Sequence, residues 1–297
     1  MILSASRRTD LPGYYSEWFF NRLKEGYALY RNPMNHGQVC KVDLSPENID
    51  GIVFWTKDPK PMMDKQDRLE CMGYSYYYQF TLTPYGKEIE PYLRDKRDIL
   101  ATFQQLSDRI GKKRVLWRYD PIILNDRYTM DYHRQQFASY CKELSGYTDI
   151  CTISFVDQYS KLSRRVKEQV IREISAKEMH CLAAELVQLA RPHRIELRAC
   201  CEAIDLSEDG ISPAACIDKE IMEQVCGHPV TVKRDRSQRV GCGCAQSVDI
   251  GAYNTCKNGC IYCYANRSEA SILKNCERHD KASPILIGNI NEEEQGV

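Results

Sequence analysis

Three cysteines late in the chain have a spacing that suits an iron–sulfur cluster. Cys256, Cys260 and Cys263 lie four and three positions apart, and Gly259 permits a tight turn in this segment. One short loop can therefore hold three corners of a metal cluster. On a 4Fe-4S cluster, three thiolates leave the fourth iron without a protein ligand. We predict that a substrate or a cofactor binds at this open iron.

The remaining cysteines indicate a second metal site. The chain has 15 cysteines, of which five lie in the first 199 residues and ten in the last 98. In a reducing compartment, thiols crowded at one end of a chain favour metal ligation over disulfides. We predict that four of them bind an auxiliary 4Fe-4S cluster or a zinc ion, namely Cys201, Cys216, Cys242 and Cys244. The alternative is that several of these thiols are small buried hydrophobic groups.

Charged and aromatic side chains follow the predicted strands at their C-terminal ends. In α/β barrels the active site forms there, so we expect these groups to share one polar cavity, with Trp55 in its wall. An ordinary surface location is the alternative for any one of them. The candidate catalytic residues are Arg7, Arg8, Asp10, Lys57, Arg118, Asp120, Asp157 and Glu202.

Strands and helices alternate along the chain, which predicts an α/β fold with a parallel sheet. We expect a partial or complete (β/α) barrel of about six parallel strands, followed by a cysteine-rich iron–sulfur extension. An open doubly wound sheet is the competing architecture. The predicted strands are residues 2–6, 51–56, 76–83, 114–119, 150–156 and 195–199. The predicted helices include residues 15–25, 60–72, 99–110, 137–144, 179–189 and 219–226.

The composition is that of a folded protein without net charge. It has 41 basic and 41 acidic residues, with 43% hydrophobic and 28% charged residues. No apolar run approaches the roughly 18 residues that span a bilayer, and no secretory signal is evident, so we expect a cytoplasmic protein. We divide the chain into a barrel-like core, residues 1–200, a cysteine-rich iron–sulfur region, residues 201–290, and a disordered tail, residues 291–297.

Several common catalytic motifs are missing from the sequence. The six histidines form no HxxxH or HxH pair, and the chain has no GxxxxGK or GxGxxG phosphate loop and no GxSxG turn. These absences argue against hydrolases and against proteins that bind nucleoside triphosphates. Metal chemistry at the cysteines is therefore the leading hypothesis.

The cysteine segment, in which Tyr262 directly precedes Cys263, resembles the cluster-binding loop of radical S-adenosylmethionine enzymes. The resemblance implies a 4Fe-4S cluster on Cys256, Cys260 and Cys263, with the amino and carboxylate groups of S-adenosylmethionine on the open iron. It also implies reductive cleavage of that cofactor to a 5'-deoxyadenosyl radical, which abstracts hydrogen from a substrate. The candidate cofactor-binding residues are then Tyr262, near the adenine, and Trp55. In that superfamily the loop follows the first strand, whereas here it follows the whole predicted barrel.

Motifs spread along the chain are similar to those of the DUF1848 family. They are Ser-Ala-Ser-Arg-Arg-Thr-Asp at 4–10, Phe-Trp-Thr-Lys-Asp-Pro at 54–59, Trp-Arg-Tyr-Asp-Pro at 117–121, Gly-Cys-Gly-Cys at 241–244 and Asp-Ile-Gly-Ala-Tyr-Asn-Thr-Cys at 249–256. This resemblance covers most of the chain and supports the expected fold and cluster. It implies no particular reaction or substrate.

The predicted function is that of a radical S-adenosylmethionine enzyme acting on a small molecule or another, unidentified substrate. We expect a reductant such as flavodoxin or ferredoxin as partner, and no membrane. Two alternatives stay open. One is a zinc-stabilised protein that binds nucleic acid, with Cys244 or Cys276 completing the site. The other is an iron–sulfur electron-transfer protein, which needs a fourth thiol on every cluster.

Overall fold

The computed structural model describes residues 1–156, 172–202, 204–239 and 241–290. Eight strands form one parallel sheet, which confirms the predicted parallel α/β fold. The predicted tail, residues 291–297, lies outside the described residues. The strands are β1 (Ile2–Ala5), β2 (Tyr27–Asn32), β3 (Asn35–Asp43), β4 (Gly51–Thr56), β5 (Tyr76–Thr81), β6 (Val115–Ile122), β7 (Ile150–Phe155), β8 (Glu196–Ala199), β9 (Ser212–Pro213) and β10 (Ser247–Asp249).

The large sheet is open rather than closed into a barrel. Its order is β10-β1-β4-β5-β6-β7-β8-β9, while β2 and β3 pair as a separate antiparallel ribbon. The six predicted strands correspond to β1, β4, β5, β6, β7 and β8. Within the described residues, the edge strands β9 and β10 do not pair with each other, so the prediction of a complete barrel is wrong. Closure needs a continuous hydrogen-bonded ladder, and these strands have only two and three residues.

The strand order also separates the fold from a doubly wound sheet. From β1 to β9 the large sheet follows the order of the chain, without the reversal that defines a topological switch point. Barrels share this sequential order. The described residues therefore form an open sheet whose strands succeed one another as they do in a barrel.

Capping side chains mark the start of two helices, and three helices begin three to seven residues before the predicted positions 99, 137 and 179. Asp95 caps α5 by accepting from the amide of Arg97, and a capping box of Ser175 and Glu178 starts α7. The helices are α1 (Leu11–Tyr14), α2 (Ser16–Glu25), α3 (Lys60–Met63), α4 (Gln66–Cys71), α5 (Lys96–Ile110), α6 (Met130–Glu143), α7 (Ala176–Ala190), α8 (Lys219–Cys226) and α9 (Glu269–Glu277).

One predicted helix is divided in two. Residues 60–72 form α3 and α4 instead of a single helix. At the junction the amide of Lys65 donates to the carbonyl of Met62, three residues back, at 2.9 Å. A bond of this kind tightens the last turn and ends the regular α-helical pattern.

The two faces of the sheet pack against different elements, because successive strand residues point to opposite sides. Leu3, Phe54 and Trp117 belong to a large core that also contains buried residues of α2, α5, α6 and α7. Val53 belongs instead to a smaller core that includes Met222 of α8. Since α8 packs against the start of β4, it leaves the C-terminal ends of the strands free to form a cavity.

Strand β10 connects the cysteine-rich region to the beginning of the chain. It pairs in parallel with β1. Asp249 at its end accepts from Ser4 Oγ at 3.1 Å and from the amide of Arg7 at 2.9 Å, and it forms a 3.0 Å ion pair with Arg8. The segment after β10 therefore starts beside the end of β1. In the part of the chain that the structure describes, no helix is both long and apolar enough to cross a membrane.

Candidate functional site

A cavity of about 450 Å³ lies at the C-terminal ends of the parallel strands. Parallel α/β sheets characteristically bind ligands at this edge. Residues at or after the ends of β1, β4, β5, β6, β7 and β8 contribute to its wall. The predicted site residues that line it are Arg7, Arg8, Asp10, Trp55, Lys57, Arg118, Asp120, Cys201, Cys216, Cys242, Cys244, Cys256, Cys260, Tyr262 and Cys263.

The cysteine loop, residues 256–263, brings its three thiols to this cavity. Two tyrosines at the start of the chain hold the loop. The hydroxyl of Tyr15 donates to the carbonyl of Thr255 at 2.7 Å, and the hydroxyl of Tyr14 donates to Oδ1 of Asn258 at 2.6 Å. Contacts between the two ends of the chain therefore position the three thiols.

Asp10 joins three parts of the site through its buried carboxylate. It accepts from the amide of Gly13 in α1 and from the amide of Lys57 after β4, both at 2.9 Å, and from Nδ2 of Asn258 at 3.2 Å. The side chain is 4% exposed, and this burial raises its pKa against the opposing effect of these hydrogen bonds. Asp10 was predicted as catalytic, and these contacts give it a positioning role for the cysteine loop.

Glu90 organises the cationic side of the cavity, and the sequence alone did not indicate it. Its carboxylate accepts from Lys57 Nζ at 2.8 Å, from Thr83 Oγ1 at 3.0 Å, and from Lys96 and the hydroxyl of Tyr262. Burial by itself would raise the pKa of Glu90, but the two ammonium groups outweigh it and lower the pKa to about 2. The carboxylate is therefore ionised and fixes both Lys57 and Tyr262.

The thiols of the cysteine loop are protonated at neutral pH when no metal is bound. Burial raises the pKa of Cys260 to about 12, although Lys57 acts in the opposite direction. Burial likewise raises the pKa of Cys256 and of Cys263. Because metals bind the thiolate form, metal binding must release these protons.

Trp55 lies between two guanidinium groups on the cavity wall. The Cζ atoms of Arg7 and Arg118 are 5.6 and 5.3 Å from its ring centroid. Arg118 pairs with Asp120, which also accepts from the hydroxyl of Ser154. Within the described ranges, Nη2 of Arg7 and Nε1 of Trp55 are buried donors without a hydrogen-bond partner. Such donors are rare in folded proteins, and a polar ligand in the cavity could satisfy them.

Four thiols outside the cysteine loop form a second group on the cavity wall. Sγ of Cys200 is 3.0 Å from Sγ of Cys216, and the thiol of Cys244 interacts with those of Cys216 and Cys242. Three of the four predicted ligands are thus brought together. Cys201 also lines the cavity, but the thiol in contact with Cys216 is that of its neighbour Cys200.

Arg8, Glu202 and Asp157 were also candidate catalytic residues, and their positions relative to the cavity differ. Arg8 lines the cavity, but its guanidinium is bound to Asp249, and the residue is 7% exposed. Glu202 accepts from the amide of Phe155 at 3.0 Å and is not among the cavity-lining residues. Asp157 lies outside the described residues.

The thiols do not form a site for a single metal ion. Apart from residues 157–171, 203, 240 and 291–297, which the structure does not describe, no group of three or more His, Cys, Asp or Glu side chains could hold such an ion. The cysteines of an iron–sulfur cluster bind separate irons and need not converge on one point. This result gives no support to the predicted zinc ion.

Comparison with known proteins relates the chain to one family. Among curated proteins no match was found. Residues 2–265, which include the ten strands of the described chain and the cysteine loop, match the family described as a domain of unknown function, DUF1848. Because this match covers most of the chain, the protein belongs to the DUF1848 family.

Proposed function

We propose that this protein is a radical S-adenosylmethionine enzyme whose cysteine loop holds a 4Fe-4S cluster in the cavity. The observation that carries the proposal is that Cys256, Cys260 and Cys263 line one cavity at the C-terminal ends of parallel strands. The late position of the loop in the chain is compatible with this function. Because β10 pairs with β1, the loop lies next to the first strand in space, although it comes last in sequence.

The residues of the cavity fit a cluster with three protein ligands. When bound, such a cluster supplies an open iron at which S-adenosylmethionine is reductively cleaved. A fourth thiol near the loop, Cys276, contacts the hydroxyl of Tyr15 at 3.5 Å and the carbonyl of Thr255 at 3.9 Å, and it is not a cavity-lining residue. The loop therefore supplies three thiols to the cavity, and Cys276 does not add a fourth.

Charged and aromatic side chains around the loop have distinct proposed roles. Lys57 supplies positive charge close to Cys260, which favours the thiolate. Tyr262 is anchored to Glu90 by its hydroxyl, so its ring has a fixed orientation for contact with the adenine. The unpaired donors of Arg7 and Trp55 are available to polar groups of the cofactor or the substrate.

Formation of 5'-deoxyadenosine tests this proposal. The protein is purified without oxygen, reconstituted with iron and sulfide, and mixed with S-adenosylmethionine and dithionite. We expect the wild-type chain to release 5'-deoxyadenosine and the Cys256→Ala/Cys260→Ala/Cys263→Ala variant to release none. The matched control is Cys276→Ser, which changes a thiol beside the loop but outside the cavity and should keep the activity.

Two results would contradict the proposal. One is a fully iron-loaded wild-type protein that does not cleave S-adenosylmethionine under dithionite, which would favour an electron carrier. The other is a colourless protein that contains zinc in place of iron, which would favour a zinc-stabilised binding protein. Equal cleavage by the wild type and the triple variant would show that the cluster lies elsewhere.

A further inference from the structure

Arg7 is a cation of the cavity wall that forms no ion pair with the residues the structure describes. Three other cations of the wall each hold a carboxylate, in the pairs Arg8–Asp249, Lys57–Glu90 and Arg118–Asp120. Nη2 of Arg7 is shielded from solvent and has no hydrogen-bond partner in the described chain. A guanidinium that leaves water without gaining a carboxylate loses hydration energy. Its positive charge is therefore available to an anion in the cavity.

The backbone of Arg7 is fixed on both sides of its side chain. The amide donates to Oδ2 of Asp249 at 2.9 Å, and the carbonyl accepts from the hydroxyl of Tyr264 at 2.8 Å. Tyr264 directly follows Cys263, the last thiol of the cysteine loop. Arg7 is thus attached to β10 and to the end of the loop before any ligand binds, which lowers the entropic cost of binding.

Trp55 provides a second donor beside Arg7. The centroid of its ring is 5.6 Å from Cζ of Arg7, and its Nε1 atom is buried without a hydrogen-bond partner in the part of the chain that the structure describes. An indole N–H can only donate, so it needs an acceptor. A guanidinium fork with one further N–H group suits the two oxygens of a carboxylate.

The charge of this site favours a carboxylate over a phosphate. Arg7 contributes one positive charge, which one carboxylate neutralises, whereas a phosphate group carries up to about two negative charges at neutral pH. Phosphates are also commonly held by the backbone amides of glycine-rich loops, and the sequence has no GxxxxGK or GxGxxG segment. The cavity of about 450 Å³ has the size of a small-molecule site.

We infer that Arg7 and Trp55 bind a carboxylate group of the substrate, which is therefore a small carboxylic acid. The guanidinium of Arg7 balances the negative charge, and Nε1 of Trp55 donates to a carboxylate oxygen. Because Arg7 is attached to the end of the cysteine loop, this contact fixes the orientation of the substrate relative to the loop. The assignment to the substrate rests on the proposed function, in which the carboxylate of S-adenosylmethionine binds iron and does not need Arg7.

Calorimetric titration with sodium acetate at constant ionic strength tests this inference on the full chain, reconstituted with iron and sulfide without oxygen. We expect one acetate site in the wild type, with binding about tenfold or more weaker in Arg7→Gln and about threefold weaker in Trp55→Phe. Arg7→Lys keeps the charge but not the fork, so its affinity should lie between those of Arg7→Gln and the wild type. The matched control is Arg97→Gln, which removes an exposed positive charge outside the cavity and should bind acetate like the wild type.

The melting temperature without acetate distinguishes a binding role of Arg7 from a structural role. Arg7→Gln removes a charge that has no carboxylate partner, so it should lower the melting temperature by less than about 2 °C. Arg118→Gln leaves the carboxylate of Asp120 without its ion pair and should lower it by about 5 °C or more. An Arg7→Gln protein that is as unstable as Arg118→Gln, or that does not fold, would show a structural role and overturn the inference.

Other results would also overturn it. If the wild type binds no acetate, the site does not exist, and if Arg7→Gln binds acetate as tightly as the wild type, the acetate lies elsewhere, for example on an iron. Inorganic phosphate that binds about tenfold more tightly than acetate, and depends on Arg7, would identify a phosphate site. Loss of acetate binding in the presence of saturating S-adenosylmethionine would assign Arg7 to the carboxylate of the cofactor.

The release of 5'-deoxyadenosine separates this inference from the proposed function. Release by a wild-type protein that shows no Arg7-dependent acetate binding would leave the proposed function standing and the inference wrong. Arg7-dependent acetate binding by an iron-loaded protein that releases no 5'-deoxyadenosine would contradict the proposed function and make Arg7 the carboxylate site of another activity.

Discussion

Gly259 adopts a backbone conformation that other residues rarely adopt. Its φ angle is +70°, and an added Cβ atom would lie 2.5 Å from the ring of Tyr92. Gly259→Ala should therefore cost about 1 kcal/mol in backbone strain and displace the cysteine loop. We expect the variant to lose the iron of the loop to a chelator about fivefold faster than the wild type. The loss can be followed by anaerobic absorbance spectroscopy.

A second glycine provides the control for backbone strain alone. Gly146 has a φ angle of +87°, but an added Cβ atom there would meet nothing within 4 Å. Gly146→Ala should lower the stability of the chain and leave the rate of iron loss unchanged. If both variants lose iron at the same rate, the loop conformation does not control cluster retention.

Single residues of the site differ in how well the sequence predicted them. Arg7 and Lys57 lie one or two residues after a strand and Asp10 caps the helix that follows β1, and the structure places all three at the cavity. The sequence did not indicate Glu90 as a site residue, because it lies in the long connection between β5 and α5, where no local pattern marks it. The choice between Cys201 and its neighbour Cys200 depends on how the chain turns after β8, and their sequence positions do not reveal that.

At the scale of elements, α6 is attached to β6 through a buried histidine. The hydroxyl of Tyr119 in β6 and Nδ1 of His133 in α6 are 2.7 Å apart, and Nε2 lies 2.9 Å from the carbonyl of Ile123. Burial lowers the pKa of His133 to about 4, so the folded protein holds a neutral imidazole at neutral pH. The contact between the two elements therefore depends on pH.

This histidine predicts a loss of stability in mild acid. The unfolded chain takes up the proton near the ordinary histidine pKa of about 6.5, and the folded chain only near 4. His133 therefore lowers the free energy of unfolding as the pH falls from about 6.5 to about 4, by about 3 kcal/mol in total. His133→Gln should remove this part of the pH dependence. Urea unfolding at pH 7, 5.5 and 4 measures it, and parallel curves for both proteins would contradict the prediction.

Edge strands decide where the cysteine loop lies. The sequence predicted the long apolar strands, but it did not indicate β9 or β10, which have only two and three residues. Their pairing is nonlocal, since β10 meets β1 from the other end of the chain. A short polar segment becomes a strand here because its partner is already in place, and hydrophobic periodicity does not predict this.

At the scale of the whole molecule, metal binding should stabilise the fold. The three proposed ligands lie in the cysteine loop, which Tyr14 and Tyr15 hold to the beginning of the chain, so a bound cluster would stabilise the folded loop together with these contacts. A ligand that binds only the folded state raises its stability. We expect the iron-free chain to melt about 5 °C or more below the iron-loaded chain in anaerobic calorimetry.

The variants of the cysteine loop make this prediction specific. The Cys256→Ala/Cys260→Ala/Cys263→Ala protein should show a smaller difference between its iron-loaded and iron-free melting temperatures than the wild type does. The Cys276→Ser protein should show the wild-type difference, because its altered thiol does not line the cavity. Equal melting temperatures with and without iron in the wild type would mean that metal binding is not coupled to folding.

The sequence by itself determined the parallel α/β class, six of the eight strands of the sheet and the grouping of three thiols in one loop. These features depend on local patterns, namely hydrophobic periodicity and the spacing of residues within a short segment. Only the tertiary structure decided that the sheet is open, that β10 brings the cysteine loop beside β1, that Cys200 contacts Cys216, and that Glu90 holds Lys57. Each of these depends on contacts between residues far apart in the chain, which no local pattern encodes.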